Sequence, residues 1–105
     1  MQVKERVYTY EDVLKGTLPE GLYEIVNGEV VKMAPTGFEH GDYEGRFYWL
    51  FNLKLKAKGY YSVGEVGILI RKKPLTIRAV DVVYISKERL KEKPKGILQV
   101  PPDLV

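Results

Sequence analysis

Leu22-Tyr23-Glu24-Ile25-Val26-Asn27-Gly28-Glu29-Val30-Val31-Lys32-Met33 reads as a β-hairpin. Two β-rich runs flank Asn27-Gly28, and a two-residue type I′ turn needs positive φ at both central positions, which Asn and Gly reach most easily. Upstream, Thr9-Tyr10-Glu11-Asp12 approximates a capping box, so a short helix is predicted from about Tyr10 to Lys15, stopped by Gly16. Pro19-Glu20-Gly21 then turns the chain into the hairpin.

Downstream, Pro35-Thr36-Gly37 breaks the strand and the apolar period changes. Tyr43, Phe47, Leu50 and Phe51 share one helical face, widened by Trp49, Leu53 and Ala57. A helix is therefore expected from about Glu39 to Lys58, its end marked by Gly59 after Lys54, Lys56 and Lys58. A face this broad predicts burial on more than one side, with the aromatics as core. Tyr60–Val63 and Val66–Arg71 read as a second strand pair turning at Gly64-Glu65. Thr76–Ile85 reads as a further strand, with Ser86 capping a short helix to about Lys91. Pro101-Pro102-Asp103-Leu104-Val105 reads as a strand just beginning. This order predicts a single α+β domain over residues 1–105 with its final section absent.

The composition narrows the chemistry. The 105 residues carry 17 basic and 14 acidic side chains, a net +3. That mild surplus fits a lysine-rich solvated surface or weak, salt-sensitive attraction to a polyanion. There is no cysteine, which excludes disulfides and thiolate zinc sites. Met1-Gln2-Val3-Lys4-Glu5-Arg6 has no apolar leader character, and no apolar run approaches the ~20 residues of a membrane span. The expected location is the cytoplasm, and the Lys-, Glu-, Tyr- and Val-rich usage resembles that of thermophile proteins.

Asp81 stands out because Ile77-Arg78-Ala79-Val80-Asp81-Val82-Val83-Tyr84-Ile85 otherwise reads as a buried strand. A carboxylate there is costly unless it is paired, hydrogen-bonded or bound to a cation. It is either a site residue, a partner of Arg78 or a lysine, or a solvent-facing acid. His40, the sole histidine, begins the long helix. It reads either as a polar first-turn residue or as a proton carrier or substrate contact beside a metal-binding carboxylate. One histidine without thiolates is a poor basis for a dedicated zinc enzyme. Glu24 falls on the apolar side of its strand with Leu22 and Val26, at a sheet edge or aimed into a site. Glu44 and Glu65 read as solvated acids. Gly64-Glu65-Val66-Gly67 lacks the lysine and hydroxyl of a phosphate loop, and the lysines near 72 and 91–95 read as solvated ends of elements.

Taken in order, Tyr23–Val30, the Pro-containing break, His40 with Gly45-Arg46-Phe47, Ile77–Leu90 and Pro102-Asp103-Leu104-Val105 resemble the Uma2 family of restriction-endonuclease-like proteins, within the PD-(D/E)XK nuclease superfamily. The resemblance implies a restriction-endonuclease-like mixed sheet flanked by helices, incomplete at its C-terminal end, bearing a divalent-metal site for phosphodiester hydrolysis, with Mg²⁺ the implied ion and Asp81 its first carboxylate ligand. It also implies that Glu24 and His40 match recurrent polar positions. Val80 stands where the family usually has proline. In the family, Pro-Asp-Leu-Val runs on into Val-Glu-Val-x-Ser, which supplies a second metal acid, and then into a helix bearing a lysine. The expectation for these 105 residues is accordingly a truncated or degenerate nuclease-like domain, with weak Mg²⁺ binding and no appreciable cleavage. The alternative is a non-catalytic module that binds nucleic acid or self-associates. The expected partners are nucleic acid and a second copy, joined as a homodimer through the unfinished sheet edge.

Overall fold

The computed structural model describes residues 6–105; residues 1–5, on which most of the leader reading rests, lie outside them. The described residues form an α+β domain, with helix α1 (Tyr10–Lys15), strands β1 (Tyr23–Val26) and β2 (Glu29–Lys32), helix α2 (Phe38–Lys54), and strands β3 (Gly59–Arg71) and β4 (Thr76–Ser86). No helix among the described residues is long and apolar enough to cross a membrane.

The hairpin forms as its turn residues dictate. Asn27 and Gly28 take φ of 52° and 85°, and Tyr23 to Val26 pair antiparallel with Lys32 to Glu29. Helix α1 spans the residues read from the sequence and ends at Gly16 in the left-handed region, φ 71°. Its buried Asp12 accepts the Thr9 N–H at 2.9 Å and the Thr17 hydroxyl at 2.6 Å, and pairs with Arg6. The Thr17 and Thr9 bonds, together with Arg6, hold the Asp12 carboxyl below its ordinary 3.8. A lowered pKa means that its stabilising contribution is present above that value and fades as pH falls through the folded one.

The four strands run in the order β2-β1-β4-β3, each neighbouring pair antiparallel. The mixed character enters only at an isolated bridge, where Leu98 lies parallel beside Ile68 of β3. Two clusters make the core. Ile25, Leu75 and Ile77 pack with Tyr8, Tyr10 and Val13 at the hairpin end. Ile68, Val83, Ile85 and Leu98 pack with Tyr60 and Val66 at the other. Leu104 forms an antiparallel bridge to Tyr84, so the beginning strand read at Pro101–Val105 is a single pairing.

Four readings need correction. Tyr60–Val63 and Val66–Arg71 are not a hairpin but one strand, pairing with β4 on both sides of Gly64-Glu65. Val63 faces Val82 and Val66 faces Val80, which sets two residues of β3 against Asp81 alone, the signature of a β-bulge. Helix α2 stops at Lys54, and Gly59 begins β3 instead of capping the helix. A Cβ at Gly59 would collide with the Ile85 carbonyl oxygen and lie 2.9 Å from Ser86 Cα, so glycine is there for close strand approach. Residues 87–89 are turns, with the Arg89 and Leu90 N–H groups bonded to the Ser86 carbonyl, and no helix follows Ser86. Of the aromatics of α2 only Phe51, 5% exposed, is core; Phe38 is 92% and Trp49 63% exposed.

Gly59→Ala is expected to lower stability by about 2 kcal/mol or more, because the added methyl meets backbone that cannot rotate away. Gly45→Ala, where a Cβ would meet nothing within 4 Å inside α2, should be neutral or stabilising. Urea midpoints of the two variants check the contrast; equal midpoints would contradict it.

Candidate metal centre

The bulge and α2 together build the site. Gly64 and Glu65 both take positive φ, 83° and 46°, and positive φ at a glutamate is uncommon. The bulge turns Glu65 and the opposing Asp81 toward α2, which packs on β3 and β4. On α2, His40 and Glu44 stand one turn apart and therefore on one face. An added Cβ on Gly64 would lie 3.7 Å from Glu44 Oε1, which puts Glu44 directly over the bulge.

One potential ligand atom from each of His40, Glu44, Glu65 and Asp81 lies within 4.8 Å of every other. His40 Nε2 is 2.8 Å from Glu44 Oε2 and 3.0 Å from Asp81 Oδ1, so its N–H is shared by two carboxylates. Burial pulls the His40 pKa down, but the hydrogen bonds and charges of Asp81 and Glu44 outweigh it and raise it above 6.5. The contribution of this contact is thus full below pH 6.5 and is lost as pH rises through the folded value. Glu65 Oε2 is buried with no hydrogen-bond partner. Glu44 is shielded at 15% exposure, whereas Asp81, at 53%, stands at the mouth.

The cluster opens on a cleft of about 550 Å³, lined by His40, Glu44, Asp81 and the apolar Tyr43, Phe47 and Leu104. Four donors in this arrangement suit a hard divalent cation, whose opposite oxygen ligands sit about 4–5 Å apart. Glu65, which contributes to this cluster, also keeps a buried oxygen, Oε2, with no partner.

Of the residues singled out in the sequence, the structure brings His40 and Asp81 together. Arg78 is not the partner of Asp81. It pairs with Glu24 at 3.1 Å, and Glu24 also accepts the Ala79 N–H at 2.8 Å. Glu24 therefore fixes the strand two residues before Asp81 and does not join the cluster. Glu44 and Glu65, read as solvated, both belong to the site. The His40-x₃-Glu44 spacing was a usable signal for the first. Glu65 carried none, since Gly-Glu between two strand runs suits a turn equally well.

The Uma2 family model, whose description is "Putative restriction endonuclease", matches residues 8–105. The chain belongs to the Uma2 family. No curated protein matches it. Restriction-endonuclease-like domains use divalent metal generally, and in this Uma2 chain the acidic cluster is where the residues fit one.

If the shared hydrogen bonds set the His40 titration, Asp81→Asn will move it down toward 6.5. Imidazole chemical shifts followed against pH check this, and an unchanged midpoint would show that Asp81 does not act on the ring.

Proposed function

We propose that this Uma2 chain is a nuclease-like domain that holds Mg²⁺, or a similar hard divalent cation, on Asp81, Glu65 and Glu44 and presents it to a nucleic-acid phosphodiester. The observation that carries this reading is that potential ligand atoms of His40, Glu44, Glu65 and Asp81 lie within 4.8 Å of one another, while Oε2 of Glu65 is buried without a hydrogen-bond partner. When bound, the cation would polarise a phosphoryl oxygen and lower the pKa of an attacking water.

The chain's own residues divide the remaining work. Glu65 and Glu44, both partly buried, and the more exposed Asp81 would hold the cation. His40, held between Glu44 and Asp81, carries a proton at Nε2 and can exchange it within the cleft. Glu24 is a positioning residue: through Arg78 and the Ala79 N–H it fixes the segment of β4 that delivers Asp81. The cleft lining has no lysine or arginine. The lining thus supplies no fixed positive charge to offset three carboxylates and a substrate phosphate around one divalent ion, and slow turnover is the expected result.

Calorimetric titration with Mn²⁺ tests the site. The wild-type chain should bind one ion, and Asp81→Asn or Glu65→Gln should weaken it tenfold or more. Binding that ignores both substitutions would remove the basis of the proposal. In parallel, supercoiled plasmid with Mg²⁺ should be nicked no faster by the wild-type chain than by Asp81→Ala. Clear Asp81-dependent nicking would overturn the expectation of poor turnover.

A further inference from the structure

The 17 basic side chains are not spread evenly over the fold. Residues 54–58, between α2 and β3, and residues 87–95, which follow β4, carry eight of them and only two of the 14 acidic ones, Glu88 and Glu92. The two segments meet at one end of the sheet. Gly59 pairs with Ser86, the Lys87 N–H donates to the Lys58 carbonyl at 3.0 Å, and the Tyr60 hydroxyl donates to the Lys91 carbonyl at 3.0 Å. All eight basic residues are exposed. Among the described residues, only Arg89 of the eight has an ion-pair partner, Asp103 at 3.0 Å. Eight basic against three acidic groups, with Asp103 counted, put this end at +5 and the rest of the chain at −2, within an overall +3.

Beside these charges lies a cleft of about 230 Å³, lined by Tyr48, Tyr60 and Tyr61 together with Lys93. Tyr61 donates its hydroxyl to Asn52 Oδ1 at 2.7 Å, and Tyr48 stands edge-on to Tyr61 with ring centroids 5.1 Å apart. With their hydroxyls engaged inside the protein, Tyr60 and Tyr61 offer the cleft ring surface.

We infer that this end binds single-stranded nucleic acid, with phosphates on the lysines and a base against the tyrosines. Any partner that covers seven unpaired lysines must be anionic, because burying them under neutral protein is costly. The repeated single charges of a phosphodiester backbone match such a row. Tyrosine rings stack on bases left uncovered by neighbours, which a duplex does not present. The cation cleft, which has no lysine or arginine in its lining, is close by. Ten residues along α2 separate Glu44 from Lys54, and five along β4 separate Asp81 from Ser86; either path is about 15 Å. About four or five stacked nucleotides at ~3.4 Å each span that gap, so a strand held here can lay a phosphodiester over the cleft. The choice of nucleic acid rests on the nuclease-like reading, whereas binding at this surface does not require the cation.

Fluorescence anisotropy of a labelled oligothymidylate in EDTA tests the surface apart from the cation site. It is read near 0.15 M salt, where the Debye length of about 8 Å screens distant charges. Affinity should fall as salt rises. Lys91→Glu with Lys93→Glu, and separately Lys54→Glu with Lys56→Glu, should each weaken binding at least tenfold and reduce the salt slope by about 1.4, as for two lost phosphate contacts. Tyr48→Ala should weaken binding severalfold and leave the slope unchanged. Lys72→Glu with Lys73→Glu, beyond the far end of β3, should change neither. Losses no larger at the first two pairs than at the Lys72 and Lys73 pair would overturn the inference. So would tighter binding to a duplex of the same length or to phosphatidylserine vesicles. Mn²⁺ titrations that fail while these results hold would support the surface and count against the cation reading alone.

Discussion

Two residues of β3 must be accommodated against one of β4, and the site depends on this mismatch. Gly64 and Glu65 oppose Asp81 alone, while the ladder resumes on either side at Val63–Val82 and Val66–Val80. In a regular ladder one residue of β3 would stand opposite Asp81 on its face of the sheet; the bulge sets a second one there. With it, Glu65 and Asp81 converge beneath the same turn of α2. The flanking ladder is apolar and partly buried, so the strand cannot relax by slipping: a one-residue shift would expose the packed face.

That convergence has an electrostatic cost. Three carboxylates share a volume in which their ligand atoms lie within 4.8 Å of one another, and like charges at this separation repel. His40 offsets part of it by sharing its N–H between Glu44 and Asp81. It leaves Glu65 Oε2 without a partner. Native structures seldom keep such an atom without a functional reason, and a cation held as proposed would supply one. The energy to hold the acids together comes from the β3–β4 ladder and from Phe51, which packs on Tyr61 and Tyr84 and anchors α2 to the sheet.

The sequence was most legible where local chemistry decides the backbone. Asn27-Gly28 has one favourable hairpin solution, and Gly16 one favourable role at the end of α1. Asp81 was legible because an acid in an apolar strand requires an explanation. What remained hidden was set by pairing between distant segments. Gly64-Glu65 suits a turn or a bulge equally, and only β4 lying across it decides. Gly59 followed a lysine-rich helix end and read as its cap, although its constraint is the Ile85 backbone 26 residues on. The aromatic face of α2 had the spacing of a core helix. Periodicity says that a face is apolar, not whether this chain or another covers it.

The claim that the bulge crowds carboxylates around a cation position is tested most directly by the thermal stability of Glu65→Gln. In EDTA, removing one of the crowded charges should raise the melting temperature above that of the wild-type chain. With Mn²⁺ in excess the order should reverse, because only the wild-type chain gains the full stabilisation of binding. A Glu65→Gln variant that melts lower in EDTA, and gains as much from Mn²⁺ as the wild-type chain does, would contradict the account.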